Sequence, residues 1–127
     1  MFSLIITIIS IALVAALAIA TIYYGGSAFT RGTADANASA LMSIGQQVQG
    51  AAVLFANDNA GALPGSVTAL VTGNYLNSSP SISSGALSDV FTSNDMTVTG
   101  VNTNVCSSSK IAAPGACASG TFTYPIQ

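Results

Sequence analysis

Charged side chains are scarce in this sequence of 127 residues, and glutamate and histidine are absent altogether. Only 5% of the residues are charged, whereas about 25% is usual in soluble proteins. The only cations are Arg31 and Lys110. Because binding to phosphate backbones depends on clustered lysine and arginine, the composition argues against nucleic acid as a partner of this chain alone.

The same shortages argue against catalysis and against a bound metal. Without histidine, glutamate or a third cysteine, the usual general bases and metal-ligand sets are missing. Ser107-Ser108-Ser109-Lys110 has the Ser-x-x-Lys spacing of penicillin-recognising enzymes, but no partner motif follows it. Asn57-Asp58-Asn59 resembles the start of a calcium loop and lacks the acidic residue that ends one. We therefore expect no enzyme, no cofactor and no metal site.

Two cysteines, Cys106 and Cys117, lie near the C-terminus in a run rich in serine, alanine and glycine. Two thiols without a nearby histidine provide only half of a tetrahedral metal site. In an exported protein the default expectation for such a pair is one disulfide. The cysteines therefore predict a disulfide and an oxidising compartment.

No charge occurs before Arg31, and the run from Met1 to Tyr24 is almost wholly apolar. As a helix this run would be about 36 Å long, enough to cross the hydrocarbon core of a bilayer. A cleavable secretory signal would have a basic start and a shorter apolar run. A single-pass anchor would have basic residues on its cytoplasmic side. A third possibility is a membrane segment whose surface later contacts protein.

The orientation of this segment conflicts with the expected disulfide. Arg31 alone would place the following domain in the cytoplasm, where disulfides are rare. The conflict disappears if Met1 is the first residue left after a basic leader has been removed. This hypothesis expects lysine or arginine upstream of Met1.

Glycines follow the apolar segment, and a helical pattern follows the glycines. Gly25, Gly26 and Gly32 each lower helix stability by about 1 kcal/mol, which predicts a weak point or a helix break near residues 25–32. From residue 33 to residue 57 a single apolar stripe with helical spacing returns. Its members are Leu41, Ile44, Val48, Ala52 and Phe55. The sequence thus predicts a second, amphipathic helix that packs on the residues after it.

The C-terminal part contains turn signals and short alternating runs. Pro64-Gly65 indicates a turn, Val67 to Val71 a short helix, and Tyr75-Leu76 a packing segment. Met96 to Thr99 alternates as a strand does, Val101 to Val105 is expected to continue it, and Gly120 to Tyr124 reads as a final strand ended or edged by Pro125. The predicted fold class is α+β, with a long N-terminal helix on a small antiparallel sheet.

This order of elements resembles the type IV pilin family. The resemblance rests on the uncharged N-terminal segment, the helix ending in Phe55 and Asn57-Asp58-Asn59, and the Cys106 to Cys117 loop. Leu63-Pro64, Leu70-Val71, Gly73-Asn74-Tyr75-Leu76 and Pro80 resemble the pilin αβ-loop. The resemblance divides the chain into an apolar part, 1–32, and a pilin head, 33–127, with amphipathic helix 33–57, αβ-loop 58–90, and sheet with disulfide loop 91–127.

The resemblance implies a structural subunit that polymerises through its apolar helix into an extracellular type IV pilus, serving adhesion, conjugation, DNA uptake or motility. It implies storage in the inner membrane, removal of a leader and N-methylation at Met1 by the prepilin peptidase, and assembly into a helical homo-oligomer by the pilus machinery. The resemblance also implies that a set of large apolar residues packs in the filament core. These are Phe2, Leu4, Ile5, Ile8, Ile9, Leu13 and Leu17. The alternatives are a pseudopilin or minor pilin of a secretion system, and a membrane-anchored binding module that does not polymerise.

One position departs from the family pattern. Most of these pilins have a glutamate at the fifth residue, which pairs with a neighbour's N-terminal amine, and this chain has Ile5. A buried amine without a partner costs several kcal/mol. Four alternatives would avoid this cost. The amine could bond to backbone carbonyls or to the hydroxyls of Ser3 and Thr7, it could be neutral, or the subunits could assemble in a different way.

Overall fold

The computed structural model describes residues 1–127 as seven elements. They are helix α1 (Phe2–Asp58), helix α2 (Val67–Thr72), strand β1 (Ala86–Leu87), strand β2 (Asp95–Thr99), helix α3 (Thr103–Cys106), strand β3 (Ala116–Ala118) and strand β4 (Thr121–Pro125). The fold is α+β, as predicted. The chain forms two compact units, Met1–Thr33 and Ala34–Gln127, called the N-terminal segment and the head below.

Helix α1 is a single helix, and the predicted break near residues 25–32 is wrong. Gly25, Gly26 and Gly32 all lie inside the helix, so helix 33–57 is not a separate element. A glycine penalty of about 1 kcal/mol lowers local stability without removing any backbone hydrogen bond, and extending an existing helix needs no new nucleus. The hydroxyl of Thr30 also donates to the Gly26 carbonyl at 2.9 Å.

The head is built on the part of α1 that lies beyond Thr33. Its buried face repeats at helical spacing and includes most of the predicted stripe. The buried α1 residues are Ala34, Ala38, Leu41, Gly45, Val48, Ala51 and Ala52. Ile44 and Phe55 pack half-buried at the margin of the core. The expectation that this helix half-buries against later residues is therefore confirmed.

The sheet has four antiparallel strands in the order β1-β2-β4-β3. The central pair, β2 and β4, is in register from Asp95↔Pro125 to Thr99↔Thr121. Inward side chains alternate along both strands: Met96 and Val98 on β2, Phe122 and Tyr124 on β4. The two predicted strands are thus confirmed, although β4 is central and Pro125 ends it.

The connection between α1 and the sheet contains the predicted short helix. The side chain of Ser66 caps α2 by accepting a hydrogen bond from the Ala69 amide at 3.1 Å. Val67 and Leu70 of α2 are buried. Tyr75 and Leu76 pack against the core, as predicted.

The stretch after β2 differs from prediction. Gly100 has a φ of +73° and turns the chain at the end of β2. Val101 to Val105 does not continue the strand, because Asn102 accepts a hydrogen bond from the Asn104 amide at 2.8 Å and caps α3. Val101 and Val105 are both buried, a four-residue spacing that suits a helical turn. The strand interpretation required Thr103 to point the same way, and Thr103 is exposed.

Candidate assembly surface

Every side chain of the N-terminal segment from Met1 to Thr33 is exposed. The large apolar residues in this segment range from 50% exposed at Ile5 to 98% at Met1. A contiguous apolar surface of this extent marks a site of protein–protein or membrane interaction. The segment therefore presents an exposed apolar surface.

Several of its hydroxyl side chains are hydrogen-bonded to carbonyls of the helix itself. The hydroxyls of Thr7, Ser10 and Thr21 donate to the carbonyls of Ser3, Ile6 and Leu17 at 2.7, 2.8 and 2.7 Å. In lipid or in a dry interface an unpaired polar group costs several kcal/mol. These hydroxyls avoid that cost, so the surface suits apolar surroundings. Helix α1 is long and apolar enough, by length and composition, to cross a membrane.

The residues predicted for filament-core packing all lie on this exposed surface. Phe2, Leu4, Ile5, Ile8, Ile9, Leu13 and Leu17 are between 50% and 83% exposed. At about 100° per residue they spread over a broad side of the helix, centred near Ile5 and Ile9. Their role in packing remains a prediction.

The opposite side of the same segment has a shallow groove that the prediction did not include. It is lined by Ser10, Ile11, Val14, Ala15 and Ala18. Ala15 and Ala18 lower the helix surface between the larger Ile11 and Val14. Small residues of this kind let helix backbones approach closely. In the sequence, the run of alanines indicates a place where helices can approach closely. It does not indicate which larger residues border that place.

Ile5 lies in the first turns of α1, with its amide donating to the Met1 carbonyl at 3.2 Å. Its side chain is apolar and half-exposed. The first carboxylate in the chain is Asp35, which belongs to the head. The N-terminal segment thus presents no acidic group to a neighbouring amine.

Three of the four carboxylates are hydrogen-bonded inside the head. Asp35 accepts from the Ser108 hydroxyl at 2.5 Å, Asp89 from the Thr68 hydroxyl at 2.6 Å, and Asp58 from the Tyr75 hydroxyl at 2.7 Å. The hydrogen bond to Asp58 is the main cause that raises the pKa of Tyr75, followed by desolvation and the negative charge of Asp58. These hydrogen bonds fasten loops to helices.

The predicted disulfide joins Cys106, the last residue of α3, to Cys117 in β3, with Cα atoms 5.1 Å apart. The Ser107 to Lys110 stretch follows α3 and lies outside any helix. The Ser108 hydroxyl is engaged with Asp35 and also accepts from the Lys110 amide at 3.2 Å. The loop is thereby tied to α1.

The long apolar helix, the small antiparallel sheet on its C-terminal half and the disulfide are consistent with a pilin-like fold. Comparison with family models, with curated proteins and with solved structures finds no match to this chain.

Proposed function

We propose that this chain is a structural subunit that polymerises through its N-terminal segment into an extracellular type IV pilus. The observation that carries the proposal is the exposure, from Phe2 to Thr30, of an apolar helical surface without charged side chains. Burying apolar surface gains about 25 cal/mol per Å². Copies of one helix that surround each other recover this free energy outside the membrane.

The head supports the same proposal through its charge. Its charged side chains are Lys110 and four aspartates, a small number for a domain of this size. Net charge is what keeps soluble proteins apart. A head with few charged side chains tolerates the dense packing of a filament. The disulfide suits an extracellular location, where thiols oxidise.

In this proposal the N-terminal segment has two surroundings in succession. Lipid of the inner membrane surrounds it before assembly, and neighbouring copies replace the lipid as the filament grows. Both are apolar, and the internally bonded hydroxyls of Thr7, Ser10 and Thr21 suit both. Release from the membrane and assembly are tasks for a separate machinery.

The test is to shear cells that express the chain, to sediment the supernatant at high speed, and to image the pellet with an antibody against the head. We expect thin filaments that the antibody labels along their whole length. Labelling at the tips alone would indicate a minor pilin. Recovery of the chain only from membranes, as a detergent-soluble monomer, would contradict polymerisation.

A further inference from the structure

Three aromatic residues follow the aliphatic part of the N-terminal segment. Tyr23 and Tyr24 are each 74% exposed and Phe29 is 78% exposed. The two tyrosine rings meet edge to face, with centroids 5.6 Å apart. Tyrosine combines an apolar ring with a polar hydroxyl and is enriched where a membrane meets water. Tyr23, Tyr24 and Phe29 are called the aromatic collar below.

The position of the collar along the helix matches the thickness of a bilayer. From Phe2 to Ile22, the residue before the collar, a helix rises about 31 Å. The hydrocarbon core of a typical bilayer is about 30 Å thick. Within that span the hydroxyls of Thr7, Ser10 and Thr21 are bonded to the helix backbone. These three polar groups therefore stay paired when the span lies in the hydrocarbon.

The collar also surrounds the helix. At about 100° per residue, Tyr23, Tyr24 and Phe29 lie about 100–140° apart around the axis and within about 9 Å along it. The residues between Tyr24 and Phe29 are Gly25, Gly26, Ser27 and Ala28, and a Cβ added at either glycine would meet no atom within 4 Å. All three aromatic side chains are exposed, so an external partner can reach the collar.

Arg31 follows at nearly the same angle as Tyr24, about 10 Å further along the axis. It is exposed and is the first charge in the chain. Guanidinium groups bind phosphate in a bidentate manner, and arginine reaches headgroups from helix ends while its stem stays on apolar surface. Its charge is complementary to phospholipid headgroups.

We propose that the aromatic collar and Arg31 contact phospholipid headgroups and fix the depth of α1 in the bilayer, with Phe2–Ile22 in the hydrocarbon. This inference rests on the membrane stage of the proposed function and adds the partner at that stage. The collar is the boundary of the lipid-covered part of the subunit.

The chain contains no tryptophan, so single substitutions give unambiguous fluorescent reporters. Leu13→Trp reports the middle of the span, Tyr24→Trp the collar, and Val90→Trp, at a 63% exposed residue of the head, the aqueous phase. Each full-length variant is placed in phosphatidylcholine–phosphatidylglycerol vesicles. The lipids carry bromine either near the glycerol end or near the methyl end of their acyl chains, and iodide in the buffer reports exposure to water.

We expect the ratio of glycerol-end to methyl-end quenching to exceed one for Tyr24→Trp and to fall below one for Leu13→Trp. Iodide quenches Val90→Trp most strongly. In the Leu13→Trp background, replacing both tyrosines (Tyr23→Leu with Tyr24→Leu) removes the depth anchor and changes that ratio. Tyr75→Phe, a matched change in the head, leaves the ratio unchanged.

The proposed contact with headgroups is contradicted by either of two results in which lipid quenches Leu13→Trp. In one, methyl-end bromine quenches Tyr24→Trp more strongly than glycerol-end bromine; in the other, only iodide quenches Tyr24→Trp. The proposed contact is also overturned if Tyr24→Trp is shielded from both lipid and iodide, which would indicate contact between copies. Absence of lipid quenching at Leu13→Trp would overturn the membrane stage and the collar together. Filament formation is measured separately in sheared cells, so the two failures are distinguishable.

Discussion

Gly45 of α1 lies directly against the ring of Tyr124 in β4. A Cβ placed on Gly45 would come within 2.5 Å of Tyr124 Cδ2 and 2.6 Å of Cγ. Tyr124 is 2% exposed and among the largest buried side chains, so its ring has no free space to move into. This contact sets how closely the helix approaches the sheet.

Gly45→Ala is expected to destabilise the head, because the overpacking cost of about 1–3 kcal/mol outweighs the gain in helix propensity of about 1 kcal/mol. Gly50 provides the matched control on the same helix. A Cβ at Gly50 would meet no atom within 4 Å, so Gly50→Ala gains only helix propensity, about 1 kcal/mol of stability.

Denaturant unfolding of the full chain in detergent, followed by the near-ultraviolet circular dichroism of the tyrosines, measures both changes. Opposite signs for the two variants are expected. Equal stability of the Gly45→Ala and Gly50→Ala variants would mean that the helix–sheet contact is not as close as described.

The hydrogen bond between Tyr75 and Asp58 predicts a dependence of stability on alkaline pH. The Tyr75 hydroxyl donates to Asp58 Oδ2 at 2.7 Å, and this bond raises the pKa of Tyr75 above its ordinary value. Because the folded-state pKa is the higher one, the stabilisation is complete below the unfolded-state pKa of about 10. It is lost as the pH rises through the folded-state pKa.

Thermal unfolding at a series of pH values between about 8 and 11 measures this loss, with Tyr75→Phe as the control. We expect the stability of the wild type to exceed that of the variant at the lower pH and the difference to shrink as Tyr75 ionises. A difference that grows with pH would contradict the assignment.

The disulfide between Cys106 and Cys117 closes a loop with a sequence separation of 11 residues. Loops of this size restrict the unfolded chain by about 3 kcal/mol. The double variant Cys106→Ala with Cys117→Ala is therefore expected to lose about that much stability. Ser109→Ala, a change at an exposed residue of the same loop, should leave the midpoint of denaturant unfolding unchanged. If the double cysteine variant unfolds at the same midpoint as the wild type, the disulfide does not stabilise the head.

Periodicity of apolar residues was enough to predict the main packing of the head. Leu41, Val48 and Ala52 recur at helical spacing and are buried, and Met96 and Val98 alternate and point inward. These patterns identify the side of a helix or strand that is buried. Such a pattern can be read from a short stretch of sequence. Strands β1 and β3 are only two and three residues long; they exist because β2 and β4 provide partners, and no local pattern indicates them.

The two expectations that the structure contradicts depend on residues whose effect changes with their neighbours. Gly25, Gly26 and Gly32 favour a break only when the helix has to start again after them, whereas α1 continues through them. Val101 to Val105 resembles a strand until the Asn102 cap is considered. In the N-terminal segment the large apolar residues were predicted, but the groove beside Ala15 and Ala18 depends on differences in side-chain size around the helix.

In the proposed filament, neighbouring copies pack closely around the N-terminal segment. Lipid accommodates a larger apolar side chain in this segment, but a closely packed neighbouring helix does not. Ala18→Leu fills the groove and keeps both helix propensity and apolarity. Ile11→Leu, at another residue that lines the groove, conserves volume and is the matched control.

The decisive measurement is the amount of chain in sheared filaments relative to the amount in membranes, for the wild type and these two variants. An overpacking cost of about 1–3 kcal/mol at each contact predicts that Ala18→Leu lowers the filament fraction about tenfold or more. The membrane content should remain unchanged, and Ile11→Leu should retain the wild-type yield. A wild-type filament yield from Ala18→Leu would contradict close packing of copies around this segment.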